Sequence, residues 1–187
     1  IAGRIAYFLN LHGPVMMIDS ACATSLTALH VACNEIRNGD CEAAIVGAVS
    51  LKMMLLSDDI ENIGTTSKDM RTRTFDNTSI GTGPGEGAIA LLIKDYDRAV
   101  KDRDGIYAVI KGSSINHNGH TIGITATSVS AQEEVILNAW EKAGIEADDI
   151  GYIEAHGTVH LHNRHFQQPY MLPVASDVDL DPLFWLH

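Results

Sequence analysis

Along the chain, short uninterrupted apolar runs alternate with stretches whose apolar residues recur at helical spacing. Ile1, Ile5, Phe8 and Leu9 mark a first helix that ends toward His12-Gly13-Pro14. Val15 to Ile18 is an apolar run long enough for a buried strand, and small residues follow at once: Ser20, Ala21, Cys22, Ala23, Thr24 and Ser25. Leu26, Leu29, Cys33 and Ile36 then fall at spacings of three, four and three, one face of a second helix. That helix is expected to end near Asn38-Gly39-Asp40, with Gly39 as a left-handed cap.

Beyond it, Cys41 to Leu51 reads as a buried strand, and Ala43, Ala44, Gly47 and Ala48 imply close packing on another layer. Lys52 to Met70 carries no readable period. Ala88 to Lys94 and Tyr107 to Gly112 read as further strands, with a short polar helix between them over Asp95 to Asp104. Ser130 and Glu133 predict a capping box for a helix whose face is Val135, Ile136, Ala139, Trp140 and Ala143, ended by Gly144. A strand from about Gly151 delivers Tyr152-Ile153-Glu154-Ala155-His156-Gly157-Thr158. Short helices alternating with apolar strands predict an α/β fold built in layers.

Composition narrows the function. Of 187 residues, 45% are hydrophobic and 20% charged, which is globular rather than disordered. Lys plus Arg total 13 against 24 Asp plus Glu, a net charge of −11. A nucleic-acid binder needs a basic face, so that class is excluded, and no overall charge attraction to an acidic membrane surface is expected. Three cysteines do not suggest a disulfide framework in a chain this long, and they fit a reducing cytoplasm. No apolar run reaches membrane-spanning length, and Ile1 to Leu11 lacks the layout of a signal peptide. The first residue is Ile rather than Met, so the sequence is read as a piece of a longer chain.

Cys22 is the first candidate for chemistry. It falls between an expected strand and an expected helix, where the first N–H groups of the helix favour a thiolate. Its small neighbours leave room for a substrate carbonyl, the layout of a nucleophile elbow built on cysteine. The competing reading is packing, since free cysteine is among the most buried residue types, and on spacing alone packing is the stronger. Cys33 and Cys41 both read as core. Gly81-Thr82-Gly83-Pro84-Gly85-Glu86-Gly87 invites a phosphate-loop reading, but no Gly-Lys-Ser/Thr ends it and no strand precedes it. A tight backbone crossing is the better account. His117 and His120 read as loop residues, and His156 taken alone as a structural histidine.

Asp19-Ser20-Ala21-Cys22-Ala23-Thr24-Ser25-Leu26 resembles the active-site signature of the β-ketoacyl synthases, the condensing enzymes of fatty-acid and polyketide assembly. The family pattern usually carries Thr at the place of Ser20 and Ser-Ser at Ala23-Thr24, small-for-small changes that keep the thiol. Glu154-Ala155-His156-Gly157-Thr158 resembles the family's first histidine motif. Arg71-Thr72-Arg73-Thr74-Phe75-Asp76 resembles its Arg-x-Phe-Asp segment, and Gly85-Glu86-Gly87 its Gly-Glu-Gly. Asn118 stands where the family usually carries Asp.

The resemblance runs from Ile1 to about Thr158 and covers less than half of a complete family domain. It implies a partial thiolase-like α/β fold, layered α-β-α, with residues 1–107 as the latter part of the first half and 108–158 as the start of the second. Residues 159–187 read as an unrelated, poorly ordered tail, because Val159-His160-Leu161-His162-Asn163-Arg164-His165 departs from the family's continuation. The second histidine, its supporting lysine and a later glycine-rich loop find no matching positions. His160, His162 and His165 could bind a metal in principle, but unrelated sequence from a frameshift or a junction is the preferred account, and no metal is expected.

The same resemblance implies decarboxylative Claisen condensation of acyl and malonyl-type thioesters, most like that of modular polyketide synthases. Cys22 would be the acyl-accepting nucleophile and His156 an oxyanion-stabilising donor. Acyl carrier protein would be the partner, bringing the phosphopantetheine arm with it, so no cofactor is expected in this chain. A homodimer is implied for the full domain, with Val15 to Ile18 near the subunit contact. Two rivals remain open: a truncated, non-catalytic module that keeps the signature, and a thiolase-like or hydrolytic acyltransferase using Cys22 and His156 alone.

Overall fold

A computed structural model describes residues 1–51, 66–76, 78–123 and 126–157. The expected tail, residues 159–187, lies outside the described residues, as does most of the stretch without readable period. Helix α1 spans Ala2–Leu9 and ends at Asn10, whose left-handed φ of 52° an Asn tolerates well. Helix α2 spans Thr24–Asn38 and carries the predicted apolar face, with Cys33 buried and Gly39 closing the helix at φ 82°. Strands β1 (Ala43–Ser50) and β2 (Gly87–Lys94) are hydrogen-bonded neighbours in a two-stranded sheet. Helix α3 follows over Tyr96–Asp102, and helix α4 spans Val129–Ala143.

The chain divides into two compact units. Ile1–Val49 and Ala88–Ile110 form the first, and the described residues within Ser50–Gly87 and Lys111–His187 form the second. In the first unit, Cys33, Val46 and Ala99 are buried. Asp95 caps α3 by accepting from the Arg98 N–H at 3.0 Å. Lys94 reaches both Asp102 and Asp104, at 2.6 and 2.7 Å, and Arg98 reaches Glu42 at 2.8 Å. These solvent-facing pairs fix side-chain directions more than they stabilise the fold.

In the second unit, Ala131 and Ile150 are buried. The extended segment at Gly112 lies tightly on α4: a Cβ there would fall 2.5 Å from the Ala139 carbonyl oxygen and 2.7 Å from the Ala143 nitrogen. Another close crossing is at Gly83, where a Cβ would run into the Met70 carbonyl, so the glycine-rich run is the tight crossing expected of it.

Several expectations need correction. Val15 to Ile18 is not a strand, and Met17 is 72% exposed. Tyr107 to Gly112 likewise forms no strand. A strand is defined by a hydrogen-bonded neighbour, and these runs have none among the described residues. The cap of α4 is Ser128, not Ser130: the Ser128 hydroxyl accepts from the Ala131 N–H at 3.2 Å, and Ser130 lies inside the first turn. Cys41, expected in the core, is only half-buried. The strand expected to be buried over Cys41 to Leu51 is mostly exposed, with only Val46 buried on it, and on β2 Leu92 is 75% exposed. A strand apolar on both faces is built to be covered on both.

Candidate active site

Cys22 sits in a single 3-10 turn, Ala21–Ala23, that runs directly into α2. The turn is held by short polar side chains. The Ala21 N–H donates to Asp19 Oδ1 at 3.1 Å, and the Ser20 N–H donates to Thr24 Oγ1 at 2.9 Å. The Thr24 hydroxyl in turn donates to the Ala21 carbonyl at 2.8 Å, and the Ser20 hydroxyl lies 3.1 Å from that of Thr27. Asp, Ser and Thr make such local bonds readily, because their short side chains reach backbone groups a few residues away. Ala21 takes φ 54°, a left-handed conformation that costs a non-glycine residue about 1–2 kcal/mol. Strain of this kind persists only where surrounding bonds over-determine it, as the Asp19 and Thr24 bonds do here.

The three cysteines differ in setting. Cys22 is exposed, Cys41 half-buried and Cys33 buried. Burial pushes the Cys33 thiol above its ordinary value, partly offset by the Arg37 charge. Desolvation, then the carboxylates of Glu35 and Asp40, push the Cys41 thiol up as well. Both shifts suppress the thiolate at neutral pH, so neither residue is placed for nucleophilic work.

His156 is exposed and lies in the second unit, where the strand expected from about Gly151 is reduced to a single bridge residue at Glu154, whereas Cys22 belongs to the first. Two residues before it, Glu154 Oε2 accepts from the Tyr152 hydroxyl at 2.5 Å, a bond that raises the phenol above its ordinary range. Immediately after it, Gly157 takes φ 66°, and its carbonyl accepts from Thr74 Oγ1 at 3.0 Å. Of the loop histidines, His117 Nδ1 accepts from the Gly119 N–H at 2.9 Å, the local role expected for it. Asn116 donates to the Ala131 carbonyl at 2.6 Å, and Asn118 Oδ1 accepts from the Ser128 N–H at 3.4 Å, tying the loop to the start of α4. No group of three or more His, Cys, Asp or Glu suited to a metal occurs among the described residues, and His160, His162 and His165 lie outside them. No helix among the described residues is long and apolar enough to cross a membrane.

Family models decide the wider identity. That for the β-ketoacyl synthase N-terminal domain matches residues 1–99, and that for its C-terminal domain residues 107–162. The chain belongs to the β-ketoacyl synthase family.

Relatives of this ketosynthase chain include polyketide synthase PksM of Bacillus subtilis, 46% identical over 159 residues, which are 84% of the chain and 4% of that protein. The partially reducing polyketide synthase tpeA of Talaromyces stipitatus is 40% identical over 161 residues, 84% of the chain and 6% of that protein. Among solved structures, the oxazolomycin ketosynthase domain OzmH KS7 of Streptomyces albus superposes with a TM-score of 0.82 at 39% identity, covering 85% of the chain and 29% of that domain. The ketosynthase from module 6 of the Bacillus subtilis bacillaene synthase gives 0.81 at 44% identity, over 84% of the chain and 29% of that structure. This ketosynthase chain therefore spans under a third of either of these two solved domains. The α/β, thiolase-like class expected from the sequence is that of these ketosynthase neighbours.

Sequence reasoning singled out Cys22 and His156 as candidates, and it missed the hydroxyl frame around Cys22 and the tie from Thr74 to Gly157. The first had a signal, in that Asp19, Ser20 and Thr24 are turn-forming types. The second joins residues 83 positions apart and had none.

Proposed function

We propose that this chain carries the acyl-accepting part of a condensing enzyme of polyketide assembly, with Cys22 as nucleophile. The observation that carries this is the exposed thiol on a strained, hydroxyl-braced turn at the start of α2. The Cys22 thiolate attacks the carbonyl of an acyl thioester, and the carrier's phosphopantetheine thiolate leaves, so one thioester replaces another. Backbone N–H groups at the helix start receive part of the charge on the tetrahedral oxygen.

In the condensation that follows, a malonyl-type thioester loses carbon dioxide to give an enolate. His156 is proposed as a hydrogen-bond donor to the enolate oxygen. The carbanion attacks the acyl-Cys22 carbonyl, forms the new carbon–carbon bond and expels the Cys22 thiolate. Covalent capture thus splits the reaction into two easier steps. The partner is an acyl carrier protein, which contributes the phosphopantetheine, so the chain itself needs no cofactor. A cytoplasmic compartment fits the three cysteines, and a homodimer fits the resemblance.

The bare β2 strand favours a second reading for the chain in isolation: a piece that retains the signature but turns over only within a larger assembly. Mixing the chain with an acyl carrier protein in excess and following release of the carrier thiol separates the two. One equivalent released per chain, and none from Cys22→Ala, supports the nucleophile. No release from a chain shown by circular dichroism to be folded supports the second reading.

A further inference from the structure

The Arg71-to-Asp76 stretch takes no part in the chemistry above, yet it touches the backbone beside His156. Thr74 Oγ1 donates to the Gly157 carbonyl at 3.0 Å. Gly157 holds φ 66°, and a Cβ there would meet Cγ2 and Oγ1 of Thr74, each at 2.9 Å. Thr74 therefore acts on Gly157 in two ways: its hydroxyl ties the carbonyl, and its side chain walls the space a larger residue would need. Gly157 follows His156 directly, so fixing its φ and its carbonyl direction fixes the peptide through which His156 is attached.

The stretch that presents Thr74 is itself tied on both sides. Arg73 pairs with Asp69 at 2.5 Å, and Thr72 Oγ1 accepts from the Gly83 N–H at 2.9 Å. Phe75, next to Thr74, takes a left-handed φ of 60°. Asp76 Oδ1 then accepts from both the N–H and the hydroxyl of Thr78 at 2.7 Å. A loop pinned this closely delivers one hydroxyl to a fixed place. Thr74 occupies the open position of the Arg-x-Phe-Asp segment, so the resemblance assigns it nothing.

We propose that Thr74 is a positioning residue for His156, holding the His156–Gly157 backbone so that the imidazole meets the thioester oxygen in a set orientation. The proposal rests on His156 as the donor to that oxygen. Small displacements of such a donor matter, because its contribution depends on being preorganised before charge develops. Thr74→Val keeps the methyl wall and the side-chain shape while deleting the donor. Thr74→Ser keeps the donor and deletes the methyl.

The test uses the full chain with ring-labelled histidine, the His156 signal being identified by its loss in His156→Ala. Thr74→Val should move the His156 ring resonances and its titration curve, leave His117 and His120 in place, and be reversed by Thr74→Ser. Thr74→Ala, which removes hydroxyl and methyl together, should move the same resonances. Decarboxylation of malonyl-carrier protein should fall about three- to tenfold in Thr74→Val, the worth of one exposed hydrogen bond, and recover in Thr74→Ser. His156 resonances that stay put in both Thr74→Val and Thr74→Ala overturn the proposal. So do resonances that move as far in Thr74→Ser as in Thr74→Val. Unchanged decarboxylation in His156→Ala instead overturns the role given to His156, and the resonance shifts tell that failure from this one.

Discussion

Thr24→Val probes the turn that presents Cys22. Thr24 Oγ1 accepts from the Ser20 N–H at 2.9 Å and donates to the Ala21 carbonyl at 2.8 Å, so one substitution deletes both bonds at nearly constant shape. Each such bond contributes about 0.5–1.5 kcal/mol net. Both are solvent-exposed, and water replaces part of what is lost, which places the sum near ~1 kcal/mol. The same bonds hold Ala21 at φ 54°, a conformation about 1–2 kcal/mol above its right-handed alternative. Losing the brace therefore cancels much of what keeps Ala21 left-handed, and the turn redistributes between conformers.

The assay is the rate of Cys22 alkylation by iodoacetamide, alongside thermal unfolding. Thr24→Val should leave the melting transition lowered by only a few degrees, in line with a ~1 kcal/mol loss, while the Cys22 rate changes severalfold. Thr24→Ser, which keeps both bonds, should behave as the parent. A Cys22 rate unchanged in Thr24→Val would refute the idea that the hydroxyl frame sets the presentation of the thiol.

In the unmodified folded chain, iodoacetamide should label Cys22 well before Cys33 and Cys41, because the latter two are less exposed and their thiols are pushed up; equal labelling by peptide mapping contradicts the assignment. Gly112→Ala places a methyl 2.5 Å from the Ala139 carbonyl oxygen, against helix backbone that cannot yield easily. It should destabilise by about 1–3 kcal/mol or more in urea unfolding, and a neutral result would contradict the close packing on α4. The hydrogen bond from Arg73, more than any other contact, holds the Asp69 carboxyl down from 3.8 to about 2. A depressed carboxylate contributes stability above its unfolded value and loses it as pH falls through the folded one, so the Asp69–Arg73 tie should persist at pH 4 and open toward pH 2. Carboxyl-carbon NMR giving an ordinary midpoint for Asp69 would contradict that pairing.

What was legible in the sequence was local. The apolar spacing from Leu26 to Ile36 gave α2, Gly39 and Gly144 gave helix ends, and the small residues around Cys22 gave the turn. Each of these depends on residues within one or two helical turns. The failures needed partners that spacing cannot name. Val15 to Ile18 is as apolar as a strand should be, yet pairing decides whether it is one. Ser128 and Ser130 are equally good caps by type, and the hydroxyl that meets the N–H of the third helical residue is that of Ser128. The left-handed φ of Ala21 has no signature, because alanine is not a residue that announces it. The Thr74–Gly157 contact is invisible for the same reason that makes it informative: the chain brings it together across 83 positions.

The central claim is that Cys22 takes an acyl group from a carrier thioester. Its most direct test is tandem mass spectrometry of the peptide containing Cys22, after brief incubation of the folded chain with an acyl carrier protein charged with a short saturated acyl group. The account predicts the acyl mass on Cys22, removed by neutral hydroxylamine, and no acylation of Cys33 or Cys41. An acyl group on either of those residues with Cys22 unmodified would contradict it.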